Sequence, residues 1–237
     1  MITGEDALEK FQQTRVLVFG LGGVGSWAAE ALARSGIGKI GLIDFDTVAE
    51  SNINRQIQAT RGTIGLAKAD VLRERLLEIN PGCKVTAMNE MFSADSAAGF
   101  GIENADYVID AIDTINCKLS LIETVYKAGV TLYSSMGMAR KLDPTMIKIA
   151  GIWETQGCPL ARLVREGLRK RQFTGSFTVV YSDENIARLD KDNLSDNNAK
   201  PVRGRKTVNG SIVTVTAAAG MFLASLVLRS IMEKHEQ

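Results

Sequence analysis

Residues 16–31 read VLVFGLGGVGSWAAEA. An apolar β-type run breaks into glycines and then becomes helical. Gly20, Gly22 and Gly25 form G-x-G-x-x-G between a strand and a helix. Glycines there permit a tight turn and let backbone N–H groups approach an anion, while the helix N-terminus adds partial positive charge. The stretch therefore predicts a nucleotide-phosphate loop without naming the nucleotide. Asp44, in LIDFDTV at the end of the next apolar run, stands where an acid accepts hydrogen bonds from ribose hydroxyls. That fits NAD and ATP equally. Asp46 follows two residues later as a second candidate, with a turn or capping role as its alternative.

Working outward, residues 15–19, 39–44, 84–88, 107–111 and 131–134 read as strands. Residues 24–35, 67–80 and 116–128 read as the helices between them. The alternation predicts an α/β fold: a Rossmann-like, doubly wound, mostly parallel sheet. Beyond Ser135 the alternating KLDPTMIKIAGIWE and the run SFTVVYS suggest an antiparallel C-terminal extension, with a helix over 159–171. Residues 1–150 are expected to form the nucleotide-binding core. Residues 151–237 are expected to form a C-terminal lobe of the same domain, with a mobile loop over 182–207 and a terminal helix.

The chain has 237 residues, 45% apolar and 23% charged, with a net charge of +1. This is ordinary globular composition, and no global field calls for nucleic acid. The cysteines, Cys83, Cys117 and Cys158, are scattered; they exclude a four-cysteine zinc site and suit a reducing cytosol. Residues 212–228 carry no charge, but a 17-residue run with Ser, Thr and Gly reads as a buried helix rather than a membrane span. The single histidine, His235, stands near the end, so histidine general-base chemistry is not expected.

Polar chemistry crowds in after Asp44. SNINRQ supplies Ser51, Asn52, Asn54, Arg55 and Gln56 in a loop beyond the strand's carboxyl end. A guanidinium there neutralises phosphate oxygens in a fork geometry. Lys68 follows near a helix start, a position that is usually solvent-facing. With Arg55 it makes two cations, which suits a triphosphate better than a pyrophosphate. Asp113 ends the fourth strand in YVIDAIDTINCK, where it could hold Mg²⁺ between phosphates, or cap a helix. Asp110 lies earlier and is expected to face the sheet or a helix.

GLGGVGS, LIDFDTV, SNINRQ, IGLAKAD and AIDTINCK, in this order, resemble the ubiquitin-activating-enzyme-like adenylation family. Residues 22–38 with INRQIQAT and LDPTMIKI are most similar to its tRNA threonylcarbamoyladenosine dehydratase subgroup. The resemblance covers roughly residues 5–148. It implies that Gly23 lies on ATP, Asp44 holds the ribose, and residues 51–55 surround the phosphates. It also implies that Lys68 meets the phosphates and that Asp113, with Thr114 beside it, binds ATP or its magnesium.

The implied activity is cytoplasmic and ATP-dependent. A substrate carboxylate is adenylated, then a nitrogen of the same arm displaces AMP and closes a hydantoin ring. The alternative is an adenylating activator of a sulfur-carrier or ubiquitin-like protein, with sulfur-transfer partners. That alternative usually brings a zinc-binding cysteine quartet. Some family members carry a cysteine in the segment that reads KTVNGS here; this sequence has Asn209. Cys158 is the loop-placed thiol candidate. The family is usually a homodimer in which an arginine preceding the first strand reaches the partner's ATP; this sequence has no arginine before Arg15.

A tRNA substrate calls for basic surface. Arg162, Arg165 and Arg169 share a helix face by spacing, with Lys170 and Arg171 beside them. Lys200, Arg203, Arg205 and Lys206 form a second cluster, and Ser135, Met138 and Arg140 are candidates for the substrate pocket. A solvated helix face is the alternative reading of the first cluster.

Overall fold

The structure is a computed structural model that describes residues 4–184 and 210–233. Helix α1 (Gly4–Gln13) leads into β1 (Arg15–Phe19), and the glycine turn opens α2 (Gly25–Arg34). There follow β2 (Lys39–Ile43), α3 (Lys68–Ile79), β3 (Lys84–Met88), β4 (Tyr107–Asp110), α4 (Ile115–Lys127) and β5 (Thr131–Ser135). The chain ends with β6 (Ile147–Gly151), α5 (Pro159–Lys170), β7 (Thr178–Ser182) and α6 (Val213–Glu233).

The strands form one seven-stranded sheet in the order β3-β2-β1-β4-β5-β7-β6. All pairs are parallel except β6–β7. The expected doubly wound sheet with an antiparallel extension is thus what forms. β7 lies between β5 and β6, so the sheet runs across residue 150 without a break.

β1, β2 and β4 are covered on both faces, which is why they read as continuous apolar runs rather than alternating ones. One core packs Val16, Val18, Leu42 and Ile109 against α2, α3 and α6. The other packs Leu17, Phe19, Val108 and Val179 against α4 and α5.

By length and composition α6 could cross a membrane. Here Val215, Ala219, Leu223, Val227 and Ile231 are buried at helical spacing. The helix lies against α2 and the sheet. A side chain at Gly220 would come within 2.6 Å of the Val24 carbonyl oxygen, so only glycine lets the two helices approach this closely.

Of the segment expected to be mobile, residues 185–207 lie outside the described residues, as do Lys200, Arg203, Arg205, Lys206, Asn209 and His235.

Candidate nucleotide site at the carboxyl ends of the strands

Parallel strands leave a crevice at their carboxyl ends where the strand order reverses. Here β1 is the reversal point, with β2 on one side and β4 on the other. A cavity of about 950 Å³ opens there.

Its floor is the glycine turn. Gly20 has φ +85°, and a side chain on it would lie 2.7 Å from the Ala111 carbonyl oxygen. At Gly25 a Cβ would come within 1.9 Å of the Gly20 carbonyl oxygen. Both glycines are therefore demanded by the turn itself. A Cβ on Gly22 meets nothing within 4 Å, because Gly22 faces the cavity.

Asp44 sits beside this floor and accepts from the Leu21 N–H at 2.6 Å and the Asp46 N–H at 2.8 Å. Burial pushes its carboxyl above the usual aspartate range; the two backbone donors and Lys68 only partly offset it. The lone pairs left over point this acid at a further donor, such as a ribose hydroxyl.

Two cations reach the cavity from the segment after β2. Residues 46–48 run antiparallel to 66–68: Val48 N–H donates to the Leu66 carbonyl and Lys68 N–H to the Asp46 carbonyl. This pairing draws the first turn of α3 to the strand end. Lys68 is consequently buried, not solvent-facing, and its ammonium lies 2.8 Å from Asp46. Arg55 is held by its own loop. Its Nη1 donates to the Ser51 carbonyl at 2.8 Å and to Asn54 Oδ1 at 2.9 Å. The Trp27 indole donates to the Arg55 carbonyl at 3.0 Å.

Of the residues expected around a nucleotide, Gly20, Gly22, Gly23, Asp44, Asp46, Asn52, Arg55, Gln56, Lys68, Asp113 and Thr114 all line this one cavity. Gly25, Ser51 and Asn54 do not. They stand behind the wall: Gly25 packs on the turn, Ser51 and Asn54 brace Arg55, and Asn54 Nδ2 also donates to the Ser211 carbonyl at 2.8 Å.

Asp113 follows β4 in an exposed turn, with a long 3.4 Å contact from the Thr114 hydroxyl. No group of three or more metal-ligating side chains occurs among the described residues. Asp113 shares the cavity with Asp44, Asp46 and Glu90, and a single carboxylate is a ligand that Mg²⁺ could use, since it takes most of its shell from phosphates and water.

The far wall is built largely from segments that carry no local motif. Phe45, Glu90, Met91 and Phe92 rim one end. Cys117, Met136 to Lys141, Pro159 and Leu160 form the other, with Ser211 and Thr216 between. Ser135, Met138 and Arg140, expected near the substrate, belong to that second end. Cys158 is buried at the start of α5, whereas Cys117 lines the cavity.

The α5 arginines divide. Arg162 is exposed with a loose 3.8 Å contact to Glu166. Arg165 is instead turned inward, donating to the Thr155 carbonyl at 3.0 Å and to its hydroxyl. Arg169 lies 5.4 Å from the centre of the Trp153 ring. Arg171 pairs with Glu123 at 2.6 Å.

The ThiF family matches the chain over residues 1–237. The chain belongs to the ThiF family. Among curated relatives of this ThiF-family chain, the tRNA threonylcarbamoyladenosine dehydratase of Bacillus subtilis is 39% identical over 235 residues, covering 98% of this chain and 92% of that protein. The Escherichia coli protein of the same name is 38% identical over 243 residues, with coverages of 98% and 91%. The crystal structure of the E. coli enzyme in complex with AMP superposes with a TM-score of 0.87 at 36% identity, covering 99% of this chain and 92% of that one. The E. coli enzyme has also been solved in complex with ATP, and that structure gives a TM-score of 0.86.

Proposed function

We propose that this ThiF-family chain is an ATP-dependent tRNA threonylcarbamoyladenosine dehydratase. The observation that carries the reading is the gathering of Gly22, Gly23, Arg55, Lys68 and Asp113 around one cavity. It is supported by nearly full-length similarity to dehydratases, one of which has been solved with ATP and with AMP.

The proposed substrate is the threonyl carboxylate of the modified adenosine in tRNA. It is ionised at neutral pH and needs no base to become a nucleophile. One carboxylate oxygen attacks the α-phosphorus, and the bond to pyrophosphate breaks. A nitrogen of the same arm then attacks the activated carbonyl carbon. The C–O bond to AMP breaks, a C–N bond forms, and the nitrogen gives up its proton. The oxygen of the lost water leaves on AMP.

The task left to the protein is charge and alignment. Arg55 and Lys68 would offset the negative charge of the phosphates. Backbone N–H groups of the glycine turn would hold them, and Asp44 would hold the ribose. Asp113 would hold Mg²⁺, which when bound draws charge from the phosphate oxygens. The wall formed by Met136, Gly137, Met138 and Leu160 would receive the modified base, with Arg140 at its rim. The exposed arginines Arg162 and Arg169 on α5 would meet tRNA phosphates, making binding salt-dependent. A cytoplasmic homodimer fits the reduced cysteines and the exposed Met221 and Phe222 on the outer face of α6.

The alternative, activation of a sulfur-carrier protein, lacks the cysteine quartet that usually accompanies it, since the chain has three cysteines. The test is incubation with threonylcarbamoyl-modified tRNA and ATP–Mg²⁺. Release of AMP together with loss of one water from the modified nucleoside supports the reading. Absence of both removes it, and tight NAD binding without ATP binding would replace it with a dinucleotide-binding role.

A further inference from the structure

Beneath the cavity, Asp110 and Lys118 form an ion pair at 2.8 Å, and both side chains are 0% exposed. Neither residue lines the cavity. Removing two charges from water costs several kcal/mol per ion, and their attraction seldom exceeds that cost. Two well-packed apolar side chains would fill the same space at similar stability. What apolar groups cannot do is bond the backbone, and that is how this pair is used.

Lys118 Nζ donates to the Ile112 carbonyl at 2.8 Å. Asp110 Oδ1 accepts from the Ile112 N–H at 3.0 Å. Both polar backbone groups of the residue preceding Asp113 are thus held by the pair. Ser134, from the neighbouring strand β5, donates to Asp110 Oδ2 at 2.7 Å. On the other side of Asp113, the Thr114 carbonyl accepts from the Lys118 N–H at 3.0 Å. The turn is also fastened to the glycine loop, since Ala111 N–H donates to the Phe19 carbonyl at 2.8 Å and Ala111 abuts Gly20.

We propose that Lys118, acting with Asp110, is a positioning residue that fixes where Asp113 presents its carboxylate between the strand tip and the glycine loop. The inference rests on the metal-holding role given to Asp113 above. Asp113 itself sits in an exposed turn, and among the described residues its carboxylate accepts the one long contact from Thr114. Its position is therefore inherited from the backbone on either side, and the buried pair sets that backbone.

The test reads the gain in ATP affinity when Mg²⁺ replaces EDTA, measured by calorimetry on the full chain. The double variant Lys118→Met with Asp110→Asn leaves no buried charge, and its amide still reaches the Ile112 N–H. It should bind metal-free ATP as the wild type does, while its Mg²⁺-dependent gain shrinks about 10-fold, the usual cost of losing an outer support of a metal ligand. Lys118→Arg, which keeps a cation on the Ile112 carbonyl, should retain most of the gain. If the double variant does not fold, Ser134→Ala carries the test. It removes one bond to Asp110 and should reduce the gain in a variant that still folds, with a melting temperature lower by several degrees. A folded double variant with the wild-type gain overturns the proposal, as does an unaltered Ser134→Ala where the double variant fails to fold. A wild type whose ATP affinity ignores Mg²⁺ removes the role of Asp113, and the positioning of it falls for that separate reason.

Discussion

The ammonium of Lys68 lies 2.8 Å from the carboxylate of Asp46, with the lysine side chain 6% exposed and the aspartate 50% exposed. The pair is asymmetric. Its cation is drawn out of water at the cavity wall, while its anion can rehydrate if the cation is lost.

Lys68→Met should therefore separate function from stability. Methionine fills the volume of the lysine stem, and Asp46 turns to solvent. Stability should change by no more than about 1 kcal/mol. The rate of AMP formation should fall roughly 100-fold, as when one preorganised donor to a charged transition state is lost. Denaturation curves and single-turnover AMP release check the two halves.

Gly20 and Gly22 should respond oppositely to alanine. Gly20→Ala places a Cβ 2.7 Å from a backbone oxygen at φ +85° and should cost at least about 1–3 kcal/mol. Gly22→Ala meets open space and has no positive φ, so stability should hold or rise by about 0.4–1 kcal/mol. If phosphates lie over the turn, the new methyl occupies their place, and Gly22→Ala should weaken ATP binding while the fold is intact. Paired melting and calorimetric measurements test this.

Arg55 is braced from behind, which makes a graded series. Arg55→Lys loses the planar fork and should slow AMP formation about 10–100-fold. Asn54→Ala and Trp27→Phe each remove one brace and touch no cavity surface that Arg55 uses. They should cause smaller losses, expressed more in ATP affinity than in the maximal rate.

Much of this arrangement was legible in the residues, for physical reasons. Each central strand is a short, fully covered apolar run, and residues 39–44 and 107–111 end within one residue of β2 and β4. Gly20 and Gly25 announce their turn because only glycine fits there. Lys68 was not legible as a buried group, since a lysine in the first turn of a helix is ordinarily hydrated. Its burial follows from the pairing of 46–48 with 66–68, which joins the loop after β2 to the start of α3. Lys118 is hidden by a different contact, its ion pair on α4 with Asp110 at the end of β4. The spacing of Arg162, Arg165 and Arg169 does place them on neighbouring positions of α5, yet spacing does not say that Thr155 draws Arg165 inward. Cys117, Leu160 and Thr216 meet in the cavity from three different helices, and no local pattern joins them.

Glu30 offers a test by pH. Burial raises its carboxyl, but Arg75 and Arg34 together outweigh burial and hold it below the usual glutamate range. Arg75 Nε approaches it at 2.6 Å and ties α3 to α2. A lowered folded-state value means that the stabilisation is fully present above the unfolded value of about 4.3. It is lost as pH falls through the folded value. Glu30→Gln should cost about 1–2 kcal/mol at neutral pH. The difference from the wild type should shrink below about pH 4. Denaturant midpoints across that range decide it; a gap that widens on acidification would contradict the assignment.

The cavity is proposed to direct a carboxylate onto the α-phosphorus of ATP, and an isotope can follow the oxygen directly. With ¹⁸O in the threonyl carboxylate of the modified tRNA, mass spectrometry of the nucleotide products reads which phosphorus was attacked. The expected result is labelled AMP, unlabelled pyrophosphate and a cyclised product that has lost one carboxylate oxygen. Label in inorganic phosphate alongside ADP, or cyclisation with unlabelled AMP, would contradict it.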